Sequence, residues 1–253
     1  MIGLLYNEWL KSWYGRKMWL FSLVMLLFIA GAVGIALLTQ ANTSGPLLAT
    51  EFAELSVFVF PLFVMLFGVV LIAGAIAGEF TSGTVKQLLI RPSSRSTLLF
   101  TKWFGNLLLA TISLFLIVLL TTILGIVIFS TEGQSISTLL SDMLIMGAYQ
   151  LPTLIFYMAL ATLVAVVTKS TALTIIITFA PMFFGGILQL FIMNYDWAKW
   201  VVVTHVEFFS NYHEFGTTIA PFESMWASLA FLGGHVVVIL LVAHIVFQKK
   251  DVL

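Results

Sequence analysis

The sequence predicts an all-α integral membrane protein with six transmembrane helices, and three observations carry that prediction. Hydrophobic residues make up 61% of the chain and charged residues only 9%, against roughly 45–50% and 25% in soluble domains. The apolar residues gather into six runs, each near the ~20 residues that cross a bilayer as a helix. The basic residues fall almost entirely on alternate connections between those runs, as the positive-inside bias of membrane proteins requires. Mean hydropathy is +1.12. With 253 residues, six spans leave no room for a sizeable soluble domain, so energy-coupling machinery must come from another chain. The absence of cysteine excludes disulfides and thiolate metal sites.

Residues 1–17 mix polar and apolar types, with Leu5, Trp9 and Trp13 at four-residue intervals and Lys11, Arg16 and Lys17 nearby. That spacing predicts an amphipathic helix lying in the membrane interface; a tail tethered by its aromatic residues is the alternative. The first span, 18–38, begins too late and runs too long for a cleavable signal peptide. A polar connection with Asn42, Gly45, Pro46, Glu51 and Glu54 precedes the second span, 55–77. Gly74 and Gly78 at its exit have the spacing that permits close helix approach. Pro61 either bends this span or sits in its first turn, where no helical N–H is lost. The third span is 103–129, with Lys102 and Trp103 at the interface, and a polar loop with Glu132 and Asp142 leads to the fourth, 143–167. A very short turn at Lys169 gives the fifth, 171–193. The connection 194–222 carries Asp196, Lys199, Glu207 and Glu214 among Trp197, Trp200, Phe208 and Phe209. Such aromatic content suits short helices dipping into the outer interface, since a soluble loop seldom exposes so much apolar surface. The sixth span is 225–247. The chain reads as one transmembrane domain over 1–253.

Orientation follows from counting. With both termini in the cytoplasm, Lys11, Arg16, Lys17, Lys86, Arg91, Arg95, Lys102, Lys169, Lys249 and Lys250 lie inside and only Lys199 outside; the opposite orientation reverses the split. The loops of the two halves differ in length and no internal repeat is visible, which gives an inverted-repeat secondary transporter no support.

The stretch 79–95 is a polar island between two apolar runs. Turned at 100° per residue, Phe80, Val85, Leu88 and Leu89 share one half of a helix and Ser82, Gly83, Lys86 and Gln87 the other. A short amphipathic cytoplasmic helix is expected, ended by Arg91-Pro92, and either covering lipid headgroups or docking a protein. The run Gly78-Glu79-Phe80-Thr81-Ser82-Gly83-Thr84, followed by Leu88-Leu89, Arg91-Pro92, Arg95 and Lys102, resembles the signature loop of ABC-2 type permeases, the membrane subunits of ATP-binding-cassette exporters. The six spans, the amphipathic N-terminal helix and the apolar external loop between spans five and six extend the resemblance over essentially the whole chain. It implies that Glu79, Phe80, Gly83, Thr84, Arg91, Pro92 and Arg95, with Lys86 on the same helix, form the coupling region for a separate ATPase subunit. It also implies two ATPase copies, a second permease subunit in a homodimer or heterodimer, and the bacterial cytoplasmic membrane as location.

The chain has no Gly-x-x-x-x-Gly-Lys-Ser/Thr loop and no Gly-Lys pair at all, so ATP and magnesium belong on the partner and no cofactor is expected here. No catalytic residue and no nucleic-acid partner are expected. His235, Gln150, Gln189 and Tyr157 are the polar side chains within spans that would line a path or join helices. His205, Glu207, His213 and Glu214 could be imagined as a zinc site, but their spacing matches no metalloprotease helix motif such as His-Glu-x-x-His, and a solvated loop with a mixed rim explains them equally well. An apolar, aromatic-rich interior suits hydrophobic or amphipathic cargo, and permeases of this size resemble the group that exports or confers immunity to bacteriocins, peptide antibiotics and cytolytic peptides. Lipid, drug or sodium export by the same machinery is one alternative. A stand-alone channel or ion-driven transporter is another, which requires charged or broken helices at the bilayer midplane.

Overall fold

The structure is a computed structural model that describes residues 2–42, 45–82, 94–211 and 220–249. Helix α1 (Ile2–Tyr14) is followed by α2 (Lys17–Asn42), α3 (Ala49–Ala75), α4 (Ala77–Thr81), α5 (Arg95–Ile128), α6 (Ile136–Tyr149), α7 (Leu151–Thr168) and α8 (Thr171–Ile192). A 3-10 turn (Asp196–Trp200) and α9 (Val202–Ser210) come next, and α10 (Met225–Lys249) closes the described chain. No strand occurs among the described residues beyond an isolated bridge between Leu48 and Ser130. Six stretches are helical, long and apolar enough to cross a membrane: 17–42, 49–81, 95–128, 136–168, 171–192 and 225–249.

The helices outrun the apolar runs because their caps are polar. Glu51 and Glu54 fall in the first turns of α3 rather than in a connecting loop, and the Glu51 Oε2 accepts the Leu48 N–H at 3.1 Å. Arg95, expected in the polar island, opens α5 behind Ser94, whose hydroxyl accepts the Thr97 N–H. Asp142, expected in a loop, lies inside α6. Pro61 lies in the interior of α3, not in its first turn. The fourth span, expected as one uninterrupted helix, is broken at Gln150, where Pro152 near the start of α7 lacks the N–H that a continuous ladder needs.

Three spans form the centre and three the periphery. Half or more of the apolar stretch is buried in the spans 49–81, 95–128 and 136–168, against 11–17% in the other three. α3 packs along α5, and α7 packs against α3 and α10. Buried Val64, Ile72, Leu99, Leu114, Leu154 and Met158 lie in the shared core. In lipid such contacts hold by close packing and dispersion rather than by the hydrophobic effect. α2 attaches at the edge through aromatic pairs: Phe21 stacks on Phe67 at 3.9 Å and Phe28 meets Phe63 at 4.8 Å.

Candidate functional site

Two polar constructions lie at opposite ends of the bundle. The first is at the basic end, which carries Lys11, Lys102, Lys169 and Lys249. α1 lies against α5 with Glu8 and Ser12 buried, while Trp9 and Trp13 face outward. The face turned to the protein carries Glu8 and Ser12, and the two tryptophans of the four-residue spacing lie on the outer face. Glu8 meets Lys102, which is only 3% exposed, with Nζ to Oε1 3.2 Å. The Lys102 ammonium also donates to Glu79 Oε1 at 2.7 Å and to the Ala75 carbonyl at 2.9 Å. Lys11 bridges the same two carboxylates at 3.3 and 3.0 Å. Burial alone would lower the Lys11 pKa, but attraction to Glu8 and Glu79 outweighs it and holds the group above its ordinary value. Two carboxylates and two ammoniums thus join α1, α4 and α5. Lys17 enters beside them: a Cβ on Gly74 would stand 2.6 Å from its Nζ. Gly74 accommodates a lysine head here, not the close helix crossing its spacing suggested.

From this junction the chain runs into the loop. The Phe80 ring meets Phe247 edge-on at 6.2 Å, and Lys169 Nζ stands 5.2 Å from the ring centroid, a cation–π geometry. Lys169 reaches it from a left-handed turn, φ 54°, that caps α7. Arg95 donates to the Gln248 carbonyl, Gln248 donates to the Ser96 hydroxyl, and His244 Nε2 lies 3.3 Å from the Ser96 carbonyl. Of the residues expected to couple to an ATPase, Glu79, Phe80 and Arg95 therefore gather at one end, on α4, α5 and the tip of α10. Gly83, Thr84, Lys86, Arg91 and Pro92 lie outside the described residues, as does most of the expected amphipathic helix.

The second construction is a cleft at the far end, between α3, the break at Gln150 and α9. Gln150 donates to the Ser210 carbonyl and Thr153 to the Val206 carbonyl, which fastens α9 across the start of α7. Two cavities, of about 360 and 280 Å³, share Phe58, Gln150 and Ser210 in their walls. Glu51 and Glu54 line one; Tyr157 and Glu207 line the other. The Glu207 carboxylate lies against Gly185, where a Cβ would stand 2.7 Å from Oε1, and Asn211 donates to its Oε2. Burial pushes its pKa above the usual carboxylate range, an effect the Asn211 hydrogen bond only partly offsets.

Of the polar residues expected within spans, Gln150 and Tyr157 share this cleft, and the Tyr157 hydroxyl donates to the Pro181 carbonyl. Gln189 is on α8 and half-buried, outside both cavity walls. The His235 ring lies tilted against Phe231 at 4.4 Å, in an aromatic cluster where Phe231 also meets His205, Phe222 and Trp200, and its Nδ1 lies 2.9 Å from the Phe231 carbonyl of its own helix. His205 is fully buried; its Nε2 carries the proton, because it faces the Lys199 carbonyl at 2.8 Å, and its Nδ1 has no hydrogen-bond partner among the described residues. Among the described residues no three ligating side chains gather for a metal, and His213 and Glu214 lie outside them. Glu8 was not singled out from the sequence, and Glu207 was weighed there only as a member of a zinc set with His205, His213 and Glu214, not as part of a cleft with Gln150 and Tyr157. Glu8 carried one signal: it is an acid on a helix otherwise anchored by apolar and basic residues.

These features define a bundle of six helices with the length and apolarity of membrane spans, with an ionic junction at one end and an acidic cleft at the other. The chain belongs to the family described as protein of unknown function (DUF2705), whose profile matches residues 18–253. It is also similar to the uncharacterized protein YhcI of Bacillus subtilis (strain 168), 27% identical over 202 residues that make up 74% of this chain and 64% of the relative. The chain thus matches less than two thirds of that relative's length.

Proposed function

We propose that this chain is the membrane-spanning permease subunit of an ATP-binding-cassette exporter in the cell membrane. It would move hydrophobic or amphipathic cargo, peptides in particular, with ATP hydrolysed by separate ATPase subunits. The observation that carries the reading is the junction of Glu8, Lys11, Glu79 and Lys102, beside the end of α4 from which the chain runs into residues 83–93. Force applied to that segment would reach α1, α4 and α5 through the ionic contacts, and the end of α3 through the Lys102 hydrogen bond to the Ala75 carbonyl. It reaches α7 and α10 through Phe80, Lys169 and Phe247. A loop that merely covered lipid headgroups would need no such anchorage. The positive-inside count puts this end in the cytoplasm, where an ATPase would dock. The thinly buried faces of α2, α8 and α10 leave surface for a second permease subunit, and two ATPase copies complete the assembly.

The test is co-expression with a candidate ATPase subunit, a soluble chain that carries the Gly-x-x-x-x-Gly-Lys-Ser/Thr phosphate loop missing here. The two should co-purify, and cargo should stimulate ATP hydrolysis. Phe80→Ala, which leaves the ionic junction intact, should lower that stimulation several-fold without loss of the folded chain. A wild-type chain that captures no ATPase, or a Phe80→Ala variant with undiminished stimulation, rejects the reading. One observation favours an ion-driven transporter as second reading: the fourth span is broken at Gln150 beside the half-buried Glu207, the kind of interruption at which such transporters bind. Transport by the chain alone in proteoliposomes, driven by an ion gradient without ATPase, would establish it instead.

A further inference from the structure

The cleft at the far end has a chemistry of its own. Three carboxylates, Glu51, Glu54 and Glu207, line its two cavities, and no lysine or arginine does. None of the three has an ion-pair partner among the described residues, where every ion pair belongs to Glu8 or Glu79. Glu51 and Glu54 are exposed at the mouth, whereas Glu207 is drawn inside by the absence of a side chain at Gly185. Burial disfavours the charge on Glu207 and Asn211 offsets that only in part, so a cation seated beside it would favour the charged form.

An independent observation points the same way. Gln150 is 4% exposed and sits in the wall common to both cavities. Its amide nitrogen is taken by the Ser210 carbonyl, while its Oε1 accepts no hydrogen bond from any described residue. That oxygen is not one of the fully enclosed polar atoms without a partner, so it stays open to a donor that enters the cavity. The break between α6 and α7 puts that oxygen in the same wall as Glu207 and Tyr157.

The rest of the wall is apolar. Phe58, Leu62 and Met65 continue it along α3, so that the cleft from Glu51 to Met65 runs about 21 Å at the helical rise of 1.5 Å per residue. On the other side of the α3 N-terminus an apolar slot of about 270 Å³ between α2 and α3 shares Glu51, Leu55 and Val59 with these walls. Cavities of this size hold a drug-sized molecule or one or two side chains rather than a whole peptide.

We infer that this cleft binds an organic cation: an ammonium, guanidinium or phosphonium group on an apolar body, its charge set between Glu207 and Glu54 and a donor, where it has one, on the Gln150 oxygen. As a cargo site the inference rests on the export reading; as a binding site it does not. The same chemistry is offered by free lipophilic cations and by a basic residue of an amphipathic peptide.

Equilibrium binding to the purified full chain in nanodiscs, without any ATPase, tests it. The probes are tetraphenylphosphonium, its anionic isostere tetraphenylborate, a short leucine–lysine amphipathic peptide, and that peptide with its lysines acetylated. At least one cationic probe should bind saturably, and the matching uncharged or anionic one should not. Competition between the two cationic probes indicates a site open to both sources, and binding of one alone assigns the cargo to that source. Glu207→Gln should weaken the cation at least tenfold, with Glu207→Asp retaining part of the affinity, and Gln150→Leu should weaken the peptide amine more than tetraphenylphosphonium, which has no N–H. If Glu207→Gln fails to fold, the surface double variant Glu51→Gln/Glu54→Gln should still lower affinity several-fold. Equal binding of tetraphenylphosphonium and tetraphenylborate, or cation affinity unchanged in a folded Glu207→Gln, overturns the inference. Because no ATPase takes part, its failure leaves the coupling reading standing, and failed ATPase capture leaves the cleft standing.

Discussion

Replacing Lys102 by methionine would leave Glu8 with the half-exposed Lys11 as its one ion-pair partner among the described residues. Breaking a buried ion pair from one side costs about 3–5 kcal/mol, more than the pair itself contributes, because the abandoned charge stays buried. Thermal unfolding of the detergent-solubilised chain should show that loss for Lys102→Met. The double variant Lys102→Met/Glu8→Gln should recover part of it, since residues in one network do not add. Lys11 makes the junction insensitive to pH near neutrality. Its raised pKa contributes stability that is complete below the ordinary lysine value and disappears only as pH rises through the higher folded value. His205 works in the opposite sense. Burial holds its pKa below the ordinary histidine value, so the stability tied to its neutral form is present above about pH 6.5 and is lost as pH falls through the folded pKa. A proton arriving at Nδ1 would find no acceptor. The stability of the wild type relative to His205→Phe should therefore decline between pH 7 and pH 5; a constant difference across that range would contradict the assignment.

At the scale of elements, the six spans were legible because a bilayer demands long apolar runs and little else in the chain supplies them. Their ends were not. Hydropathy stops at Glu51 and Arg95, whereas the backbone continues through them, since the Glu51 carboxylate and the Ser94 hydroxyl satisfy free N–H groups at their helix N-termini. Gln150 and Tyr157 could be picked out as polar side chains in apolar runs. Glu207 could not, because its role depends on α9 folding back over α7, held by Gln150 and Thr153, and nothing in the local pattern encodes that return. Glu8 was hidden for a similar reason, its partner Lys102 being 94 residues away. The helix-on-helix fit at Gly185 gives an element-scale prediction. In Gly185→Ala the new methyl group meets the mobile end of Glu207 rather than backbone, so the fold should survive with a small change in melting temperature. The carboxylate must move, and affinity for tetraphenylphosphonium should fall several-fold in the same binding assay. Unchanged affinity would mean that the Glu207 position is not what sets the site.

For the whole molecule, the absence of cysteine permits a clean measurement of orientation. Gln134→Cys, on an exposed turn between α5 and α6, and Lys249→Cys, at the exposed end of α10, sit on opposite ends of the bundle. A membrane-impermeant maleimide should label the first in intact cells and the second only after permeabilisation. The reverse result would put the basic end outside and the acidic cleft inside, and with it remove the docking surface from the compartment that holds ATP.

The ionic junction also bears on how the chain is made. Glu8 is synthesised long before Lys102, and at roughly 5–20 residues per second the 94-residue interval lasts on the order of 5–20 s. Until the third span arrives, α1 carries an acid with no buried partner other than Lys11 and cannot settle into its seat. Completion of the Glu8–Lys102 contact therefore reports that three spans have been inserted in the correct order, and a nascent chain stalled before that point would hold its N-terminal helix loose and open to a protease on the ribosome side of the membrane.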